Sequence, residues 1–206
     1  MMTATSAVGD AYQGHLTAGD GMLASRLHKP THASLVQVVF NNGSYNSHLI
    51  ALQNFARGDK ITSFSPHADF AAKKSYSTVQ TGQETHIELN SDLLYCNHSC
   101  DPNVAFVIGD AKDKASWFAR AEKDIKKGDI LTFFYPSTEW HMSQPFECAC
   151  NSGSRCLGQI DGAHSIEPKT LKDYFVNNHI LQLKREQVQN SDLADADKQA
   201  QLALLQ

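Results

Sequence analysis

The five cysteines of this 206-residue chain fall in two short stretches and are absent elsewhere. Three of them form the pattern Cys148-x-Cys150-x5-Cys156 in a polar loop. Three thiols so close together favour a structural zinc site over buried free thiols, which are the ordinary role of an isolated cysteine. Because structural zinc takes four tetrahedral ligands, a fourth ligand must come from elsewhere in the chain. Cys100 is the first candidate for this ligand and Cys96 is the second.

A polar run, Asn97-His98-Ser99-Cys100-Asp101-Pro102-Asn103, interrupts the apolar sequence before it. Asp101-Pro102-Asn103 alone is typical of a turn in which Asx side chains bond the local backbone. Asn97 and His98 precede this turn and come just after the apolar "LLY", where a buried strand should end. Since buried polar groups are normally hydrogen-bonded, these two residues indicate either backbone partners or a polar ligand.

A tyrosine ends the strongly β-forming run "GDILTFFY", which starts with a Gly128-Asp129 turn and is followed by Pro136. A tyrosine in such a position usually packs half-buried, with its hydroxyl in water. Tyr135 alone is therefore only a weak indication of a functional site.

Short β-type runs separated by Gly, Asn and Asp turns fill residues 35–135 and predict an all-β core of many short strands. These runs are "SLVQVVF", "HLIAL", "KITSF", "YSTVQ", "THIEL", "NVAFVIG", "SWFARA" and "ILTFFY". After Pro168, "KTLKDYFVNNHILQLKREQ" has Leu171, Tyr174 and Phe175 on one helical face. The last segment has a candidate N-cap at Ser191 and is rich in helix formers. Two C-terminal helices are expected.

The composition is that of an ordinary globular protein, with 41% hydrophobic and 19% charged residues. A net charge of −4 and the lack of a Lys/Arg block disfavour direct nucleic-acid binding. There is no run of about 18 apolar residues, so no membrane span is expected. Residues 1–30 lack the features of a secretory signal, which predicts an intracellular protein, cytoplasmic or nuclear.

Three motifs, in this order and spacing, resemble the SET domain with its post-SET zinc loop. They are Asn97-His98-Ser99-Cys100-x-Pro102-Asn103, Gly128-Asp129-x-Leu131-Thr132-Phe133-Phe134-Tyr135, and Phe146-x-Cys148-x-Cys150-x5-Cys156-x-Gly158. The phrases "FFYPSTEW", "PFECAC" and "CLGQIDGA" are similar to small, stand-alone fungal SET-domain proteins. The resemblance implies a mainly β SET-domain fold of small sheets around a pseudoknot, with a zinc-stapled post-SET loop, and the expected C-terminal α-helices lie outside the general family pattern. The predicted domains are an N-terminal segment (1–30), a SET core (31–140), the post-SET zinc loop (141–162) and the C-terminal helices (163–206).

SET-domain proteins are mostly S-adenosylmethionine-dependent protein lysine methyltransferases, and the resemblance implies residue roles. Tyr135 is the expected catalytic tyrosine. Asn97 is expected to hold the cofactor through its side chain and His98 through its backbone, and Leu157 is expected to touch the adenine. The implied zinc ligands are Cys100, Cys148, Cys150 and Cys156.

Three aromatic residues are implied for the acceptor channel. Phe133 lies two residues before the tyrosine, where a phenylalanine leaves room for multiple methylation. Tyr76 and Tyr95 are further candidates, although packing explains each of them equally well.

The sequence departs from the family pattern in three places. The glycine-rich cofactor turn is best matched by Gly43-Ser44-Tyr45, in which a tyrosine replaces the second glycine, so cofactor affinity is the property most affected. The stretch with Gly19 and Gly21 competes with it but lies far upstream. The insert "SPHADFAAKK" is short for a histone-specific member, and five residues separate Cys150 from Cys156 where four are usual.

Three functions follow from the sequence. The first is methyl transfer to a protein lysine. The second is a SET fold adapted to a small-molecule acceptor, by methylation or cyclisation, which the short insert and the missing glycine favour. The third is a non-catalytic, zinc-containing binding scaffold.

Overall fold

The computed structural model describes residues 21–110 and 112–206. Its strands are β1 (Val36–Val39), β2 (His48–Ala51), β3 (Lys60–Ser63), β4 (Asp69–Phe70), β5 (Thr78–Gln80), β6 (His86–Glu88), β7 (Asn97–His98), β8 (Val104–Val107), β9 (Phe118–Ala121), β10 (Ile130–Phe133), β11 (Phe146–Glu147) and β12 (Gln159–Ile160). Its α-helices are α1 (Gly21–Leu27), α2 (Pro168–Leu171), α3 (Asn178–Gln189) and α4 (Asp195–Ala203). Single 3-10 turns cover Asp92–Tyr95, Lys114–Ser116, Tyr135–Ser137, Gly153–Arg155 and Ala163–Ser165.

The mainly β class is confirmed, since each of the eight predicted runs contains one of these strands. The pattern missed β4, β7, β11 and β12, which have two residues each. Two residues are too few to show the alternation of apolar and polar side chains that marks a strand. Residues 1–20 of the expected N-terminal segment, with Gly19, lie outside the described residues, and Gly21 begins α1.

The largest sheet has the order β1-β2-β10-β8-β9-β3, and β7 also pairs with β10. Most of its pairs are antiparallel, as hairpin-connected strands require, but β10 runs parallel to both β7 and β8. The register pairs Thr132 with Asn97 and Phe133 with His98. The last strand of the core therefore lies directly beside the polar run, which is the crossing that the pseudoknot expectation requires.

Two smaller sheets complete the β structure. One has the order β4-β6-β5, and the other is the hairpin of β11 and β12. The hairpin pairs Phe146 with Ile160 and Glu147 with Gln159, so it closes the base of the cysteine loop between them.

Two adjacent phenylalanines join the large sheet to two different hydrophobic clusters. Successive side chains of an extended chain point to opposite faces. Phe133 stacks on Phe106 in the main core with ring centroids 3.9 Å apart. Phe134 stacks on Tyr174 at 3.8 Å and belongs to the second cluster, which also contains Leu171 and Ile180. The bulky Phe134 is thus a packing residue between the sheet and the C-terminal region.

The expectation of two C-terminal helices was wrong, because the first predicted helix is interrupted. Helix α2 begins at Pro168 and ends at Leu171, so Tyr174 and Phe175 lie in the segment that leads to α3. Stacking of Tyr174 on Phe134 overrides the local helical pattern. The predicted cap was also wrong, since α4 begins after Ala194 and the Ser191 hydroxyl donates to the Val188 carbonyl at the end of α3.

None of the helices in the described part of the chain is long and apolar enough to cross a membrane.

Candidate active site and metal centre

A cleft of about 530 Å³ opens beside the crossing of β7 and β10. This size is in the usual range for small-molecule sites, about 300–1,000 Å³. Its walls come from the loop after β1, the segment that leads into β5, the strands β7 and β10, and the residues between Glu139 and Cys150. The predicted residues among its lining are Tyr76, Asn97, His98, Phe133, Tyr135, Cys148 and Cys150.

Tyr135 lies in the cleft at the end of β10. Its hydroxyl donates to the carbonyl of Cys96 at 3.3 Å, and its backbone N–H donates to Nδ1 of His98 at 3.2 Å. Burial raises the pKa of Tyr135 well above its ordinary value, and the nearby Cys96 and Glu139 act in the same direction. The phenol therefore stays protonated at neutral pH, where it can orient a ligand but cannot take a proton from one.

Asn97 and His98 hold the walls of the cleft together. The amide nitrogen of Asn97 donates to the carbonyl of Ser47, so it ties the loop after β1 to the crossing at 2.9 Å. His98 accepts from Tyr135 through Nδ1, and its Nε2 lies 3.4 Å from Sγ of Cys100. Burial lowers the pKa of His98 to about 4, so the ring is neutral at physiological pH. The side chains of Asn97 and His98 therefore have polar partners in the protein, which are both backbone and side-chain groups.

The three aromatic residues of the expected acceptor channel have different positions. Phe133 and Tyr76 line the cleft. Tyr95 is fully buried, and its ring contacts His28 and Phe40 edge-on, at centroid distances of 6.0 and 5.4 Å. The structure thus places Tyr95 in the core instead of the channel, which agrees with the packing alternative for this residue.

The loop after β1 keeps the backbone shape of a glycine-rich turn although it lacks the second glycine. Gly43 has φ of +96°, and Tyr45 adopts the left-handed conformation with φ of +60°. This conformation is uncommon for a residue with a Cβ and is disfavoured by roughly 1–2 kcal/mol. The Tyr45 ring contacts Tyr76 edge-on at 6.1 Å, and its hydroxyl donates to the side chain of Gln144. Tyr45 lines the cleft, whereas Gly43 lies next to the lining residues and not among them.

Four cysteine thiols come together below the cleft. The Sγ atoms of Cys100, Cys148, Cys150 and Cys156 all lie within 4.8 Å of one another. A tetrahedral ion with Zn–S bonds of about 2.3 Å separates its sulfurs by about 3.8 Å. Sγ of Cys100 lies 3.9 Å from Sγ of Cys148, so the cluster has the spacing of a tetrathiolate site.

The surroundings of the cluster also suit a metal ion. Burial raises the pKa of Cys100 to about 11, and a bound cation would supply the charge that its thiolate needs. The backbone N–H of Leu157 and the hydroxyl of Ser152 lie 3.4 and 3.1 Å from the sulfurs of Cys100 and Cys150. Asn151 and Gly153 have positive φ, which gives the sharp turn expected between the ligands.

Two other residues bear on this cluster. Cys96, the second candidate for the fourth ligand, is buried in the core and lines the cleft beside Tyr135, outside the cluster. Leu157 donates to Cys100 and packs against the second hydrophobic cluster, and it is not among the residues that line the cleft. A contact between Leu157 and adenine thus remains an expectation from the resemblance.

Sequence reasoning missed Glu139, a carboxylate in the cleft with 7% of its surface exposed. Its Oε1 accepts a hydrogen bond of 2.7 Å from the backbone N–H of Gln80 in β5. Burial raises the pKa of Glu139 to about 7, although the Gln80 N–H and the charge of Lys74 oppose this shift. One signal was available, since Glu139 is the acidic residue of "FFYPSTEW", four positions after Tyr135.

Comparison with known proteins identifies the family. The model of the SET domain matches residues 46–136. Methyltransferase flvH of Aspergillus flavus is 42% identical over 160 residues, which cover 75% of this chain and 84% of flvH. The Saccharomyces cerevisiae protein "Histone-lysine N-methyltransferase, H3 lysine-36 specific" is 29% identical over 104 residues, 48% of this chain and 14% of that protein. A solved structure, "crystal structure of KRYPTONITE in complex with mCHH DNA, H3(1-15) peptide and SAH", has a TM-score of 0.46 and 17% identity, over 60% of this chain and 29% of that one.

The chain therefore belongs to the SET-domain family, and it is a SET-type methyltransferase. The family resemblance drawn from the three motifs is confirmed. S-adenosylmethionine is the methyl donor of this family, so a donor of this type is implied for the cleft.

Proposed function

We propose that this protein transfers a methyl group from S-adenosylmethionine to an amine, and that the acceptor is the side chain of a protein lysine. One observation carries the proposal, namely that Tyr135, Phe133 and Asn97 converge on a single cleft at the crossing of β7 and β10. The similarity to flvH over most of both chains also supports methyl transfer. The name of flvH does not state an acceptor.

The chain's own residues divide the work. When bound, S-adenosylmethionine would supply a methyl group on a positively charged sulfur, and the amine nitrogen would take this methyl while the sulfur leaves as a neutral thioether. Asn97, His98 and the loop around Tyr45 would hold the cofactor, and the hydroxyl of Tyr135 would orient the amine for in-line attack. Phe133 lines the channel without adding a hydroxyl and leaves space for more than one methyl. Such positioning is worth roughly 7–11 kcal/mol at best in intramolecular reactions.

We also propose that the four-cysteine cluster holds one structural zinc ion. Four thiolates complete the tetrahedral shell, so the site has no open position for catalysis. Its task is to fix the segment from Cys148 to Cys156 against the polar run, because Cys148 and Cys150 also line the cleft.

A small-molecule amine is the second candidate acceptor, and the edge of β5 favours it. A peptide that adds as a strand needs unpaired backbone groups along a sheet edge. On the side of β5 away from β6, the N–H of Gln80 already donates to Glu139, and the N–H of Thr78 donates to the Ser75 carbonyl at 3.4 Å. A peptide would have to lie elsewhere on the cleft, whereas a compact amine needs no strand pairing.

Calorimetric titration with S-adenosylmethionine tests the proposal first. Micromolar to low-millimolar binding is expected, and no binding would leave a non-catalytic scaffold or a SET fold adapted to cyclisation of a small molecule. A methyl-transfer screen then separates the acceptors, with lysine-containing proteins and peptides on one side and small amines on the other. Transfer to small amines alone would reject the protein-lysine assignment and retain the second candidate.

Replacing Tyr135 by phenylalanine tests the catalytic assignment. Loss of the hydroxyl should lower kcat by roughly 10²-fold or more, because orientation of the amine is lost. The cofactor dissociation constant and the thermal midpoint should change little, since the ring and its packing remain. Ser191→Ala, which removes a hydroxyl at the end of α3 outside the cleft, is the control and should keep the wild-type rate. Retained activity in the Tyr135 variant would refute the assignment.

A further inference from the structure

The charged residues that line the cleft indicate the charge of the ligand that it binds. Two carboxylates, Glu139 and Glu147, are among its lining residues, and no lysine or arginine of the described chain is. Glu147 is exposed, whereas Glu139 is buried. Among the described residues, Glu139 forms no ion pair within 4.0 Å, and only the more distant charge of Lys74 offsets the desolvation cost of its buried carboxylate. Such a group is suited to a ligand that brings the missing positive charge.

The position of Glu139 assigns it to the acceptor side of the cleft. It follows Tyr135 by one helical turn, and its backbone N–H donates to the Tyr135 carbonyl at 3.0 Å. Its carboxylate accepts from the N–H of Gln80 in β5, and its charge acts on the phenol of Tyr135. The group thus shares a wall with the hydroxyl that orients the amine.

The fold holds Glu139 firmly in this position. Its carbonyl accepts from the N–H of Ala163 at 2.9 Å, and the N–H of Trp140 donates to the side chain of Gln80. Gly162 lies so close to this segment that an added Cβ would be 2.4 Å from the Trp140 carbonyl oxygen. The carboxylate is therefore preorganised, which is the condition for strong electrostatic recognition.

On the basis of the proposed methyl transfer to an amine, we propose that Glu139 binds the ammonium group of the acceptor and takes the proton that this group must lose. The proton moves from the ammonium nitrogen to the carboxylate, which leaves a neutral amine and a carboxylic acid. The nitrogen lone pair then forms the new N–C bond as the C–S bond breaks, and the sulfur keeps the bonding electrons as a neutral thioether. The acid returns its proton to water when the product leaves.

The neighbouring titratable groups suit this role. Tyr135 stays protonated, so it cannot accept the proton. Lys74 acts on Glu139 through its charge but directs its Nζ to the carbonyl of His141. Burial raises the pKa of Glu139 to about 7, so the empty cleft holds a carboxyl group that changes charge near neutrality.

The first test measures binding and needs no turnover. The probe is n-butylammonium, which has the charge and length of a lysine side chain, and n-butanol is its neutral counterpart. Ligand-observed NMR should show that the wild-type protein binds the ammonium and not the alcohol. Glu139→Gln should weaken ammonium binding at least about tenfold, because a charge-assisted hydrogen bond is lost. This variant keeps an oxygen for the Gln80 N–H.

Glu84→Gln is the matched control, since it removes the same charge from an exposed turn of the same small sheet and should bind the ammonium normally. Calorimetry with S-adenosylmethionine runs in parallel and should give equal affinity for all three proteins. A loss of cofactor affinity in Glu139→Gln, with ammonium binding intact, would overturn the inference and assign Glu139 to the cofactor's own amino group. Absence of ammonium binding by the wild-type protein would overturn it as well.

These outcomes separate the inference from the proposed function. If the protein binds no cofactor yet binds butylammonium through Glu139, the proposed methyl transfer is rejected and the ammonium-binding site is retained. If methyl transfer to an amine is observed, its pH profile gives a second readout. Glu139→Gln should lose the rise of kcat/KM near neutral pH, whereas a purely structural role would leave the profile unchanged in shape.

Discussion

Two residues of the cleft show how burial can give neighbouring titratable groups different protonation states. Tyr135 and Glu139 lie one turn apart, and burial raises the pKa of both. The raised pKa of the phenol moves further above neutral pH, so the hydroxyl stays protonated and remains a hydrogen-bond donor. The raised pKa of the carboxyl group moves close to neutral pH, so this group changes its protonation state near pH 7. Pairs whose environments separate their protonation states in this way commonly divide orientation and proton transfer between them.

The buried carboxyl group predicts a pH dependence of stability. The pKa of Glu139 is raised from 4.5 to about 7, so the folded state binds more protons than the unfolded state between these values. Its contribution to the free energy of unfolding is therefore lost as pH rises from about 4.5 through 7. Relative to wild type, Glu139→Gln should gain roughly 2–3 kcal/mol between about pH 5 and pH 8. Urea denaturation of both proteins at the two pH values measures this gain.

Histidines with lowered pKa values also make stability depend on pH, but they are present in both proteins and cancel in the comparison. A difference between the proteins that stays constant with pH would show that Glu139 titrates at an ordinary pKa in the fold.

Some site residues were accessible from sequence and others were not. The cysteines, Asn97 and Tyr135 lie in contiguous motifs, so their types and spacing carry the information. Burial of Glu139 depends on a bond to Gln80, 59 positions away, and on the close approach of Gly162. Such contacts arise only from the tertiary fold, and a single acidic residue after a strand gives no sign of them.

At the scale of elements, a buried amide between α2 and α3 helps to fix the segment after Tyr135. Asn177 is 2% exposed. Its side chain accepts from the N–H of Ile108 at 2.8 Å and donates to the carbonyls of Phe106 and Ser137 at 2.8 and 2.9 Å. It joins the end of β8 to the 3-10 turn that contains Tyr135 and to the start of α3.

Replacement of Asn177 by alanine should destabilise the protein by roughly 2–4 kcal/mol, because the Phe106 carbonyl and the Ile108 N–H lose this buried partner and the Ser137 carbonyl keeps only the backbone N–H of residue 177. Chemical denaturation measures this change. Asn178→Ala, at the exposed neighbouring position, should cost about 0.5 kcal/mol or less and serves as the control. Equal effects of the two substitutions would contradict the role assigned to Asn177.

The elements themselves were predictable to different degrees. The eight β runs were found because each is a short stretch of β-forming residues between turn residues, and this pattern is local. The C-terminal region was less accessible, because Tyr174 stacks on Phe134, a residue 40 positions away, in a contact that the local sequence does not show. The two-residue strands β7, β11 and β12 exist only through their partners, and β7 defines the crossing.

At the scale of the whole molecule, the cysteine cluster joins parts of the chain that are far apart in sequence. Cys100 belongs to the core, whereas the other three thiols follow the last core strand. A zinc ion between them would close a long loop in the folded state and, because a preformed site is absent from unfolded chains, its binding energy would add to folding.

Metal analysis of the purified protein should give about one zinc ion per chain, as one complete four-thiolate site requires. Cys150→Ser should lose this ion, lower the thermal midpoint and weaken cofactor binding, because the same loop lines the cleft. Cys96→Ser is the control for metal content and should retain zinc, since Cys96 lies outside the cluster. Full zinc occupancy in Cys150→Ser would exclude Cys150 as a ligand.

The parallel pairing of β10 with β7 and β8 affects how the domain folds. These strands are distant in sequence and need a crossover, so their contacts form late and raise the contact order of the domain. A nascent chain that has emerged only as far as β8 has Asn97 and His98 but no Tyr135 beside them. The two halves of the cleft are therefore expected to appear together, so catalytic competence should return during refolding at the rate at which the sheet closes, without a partly active intermediate.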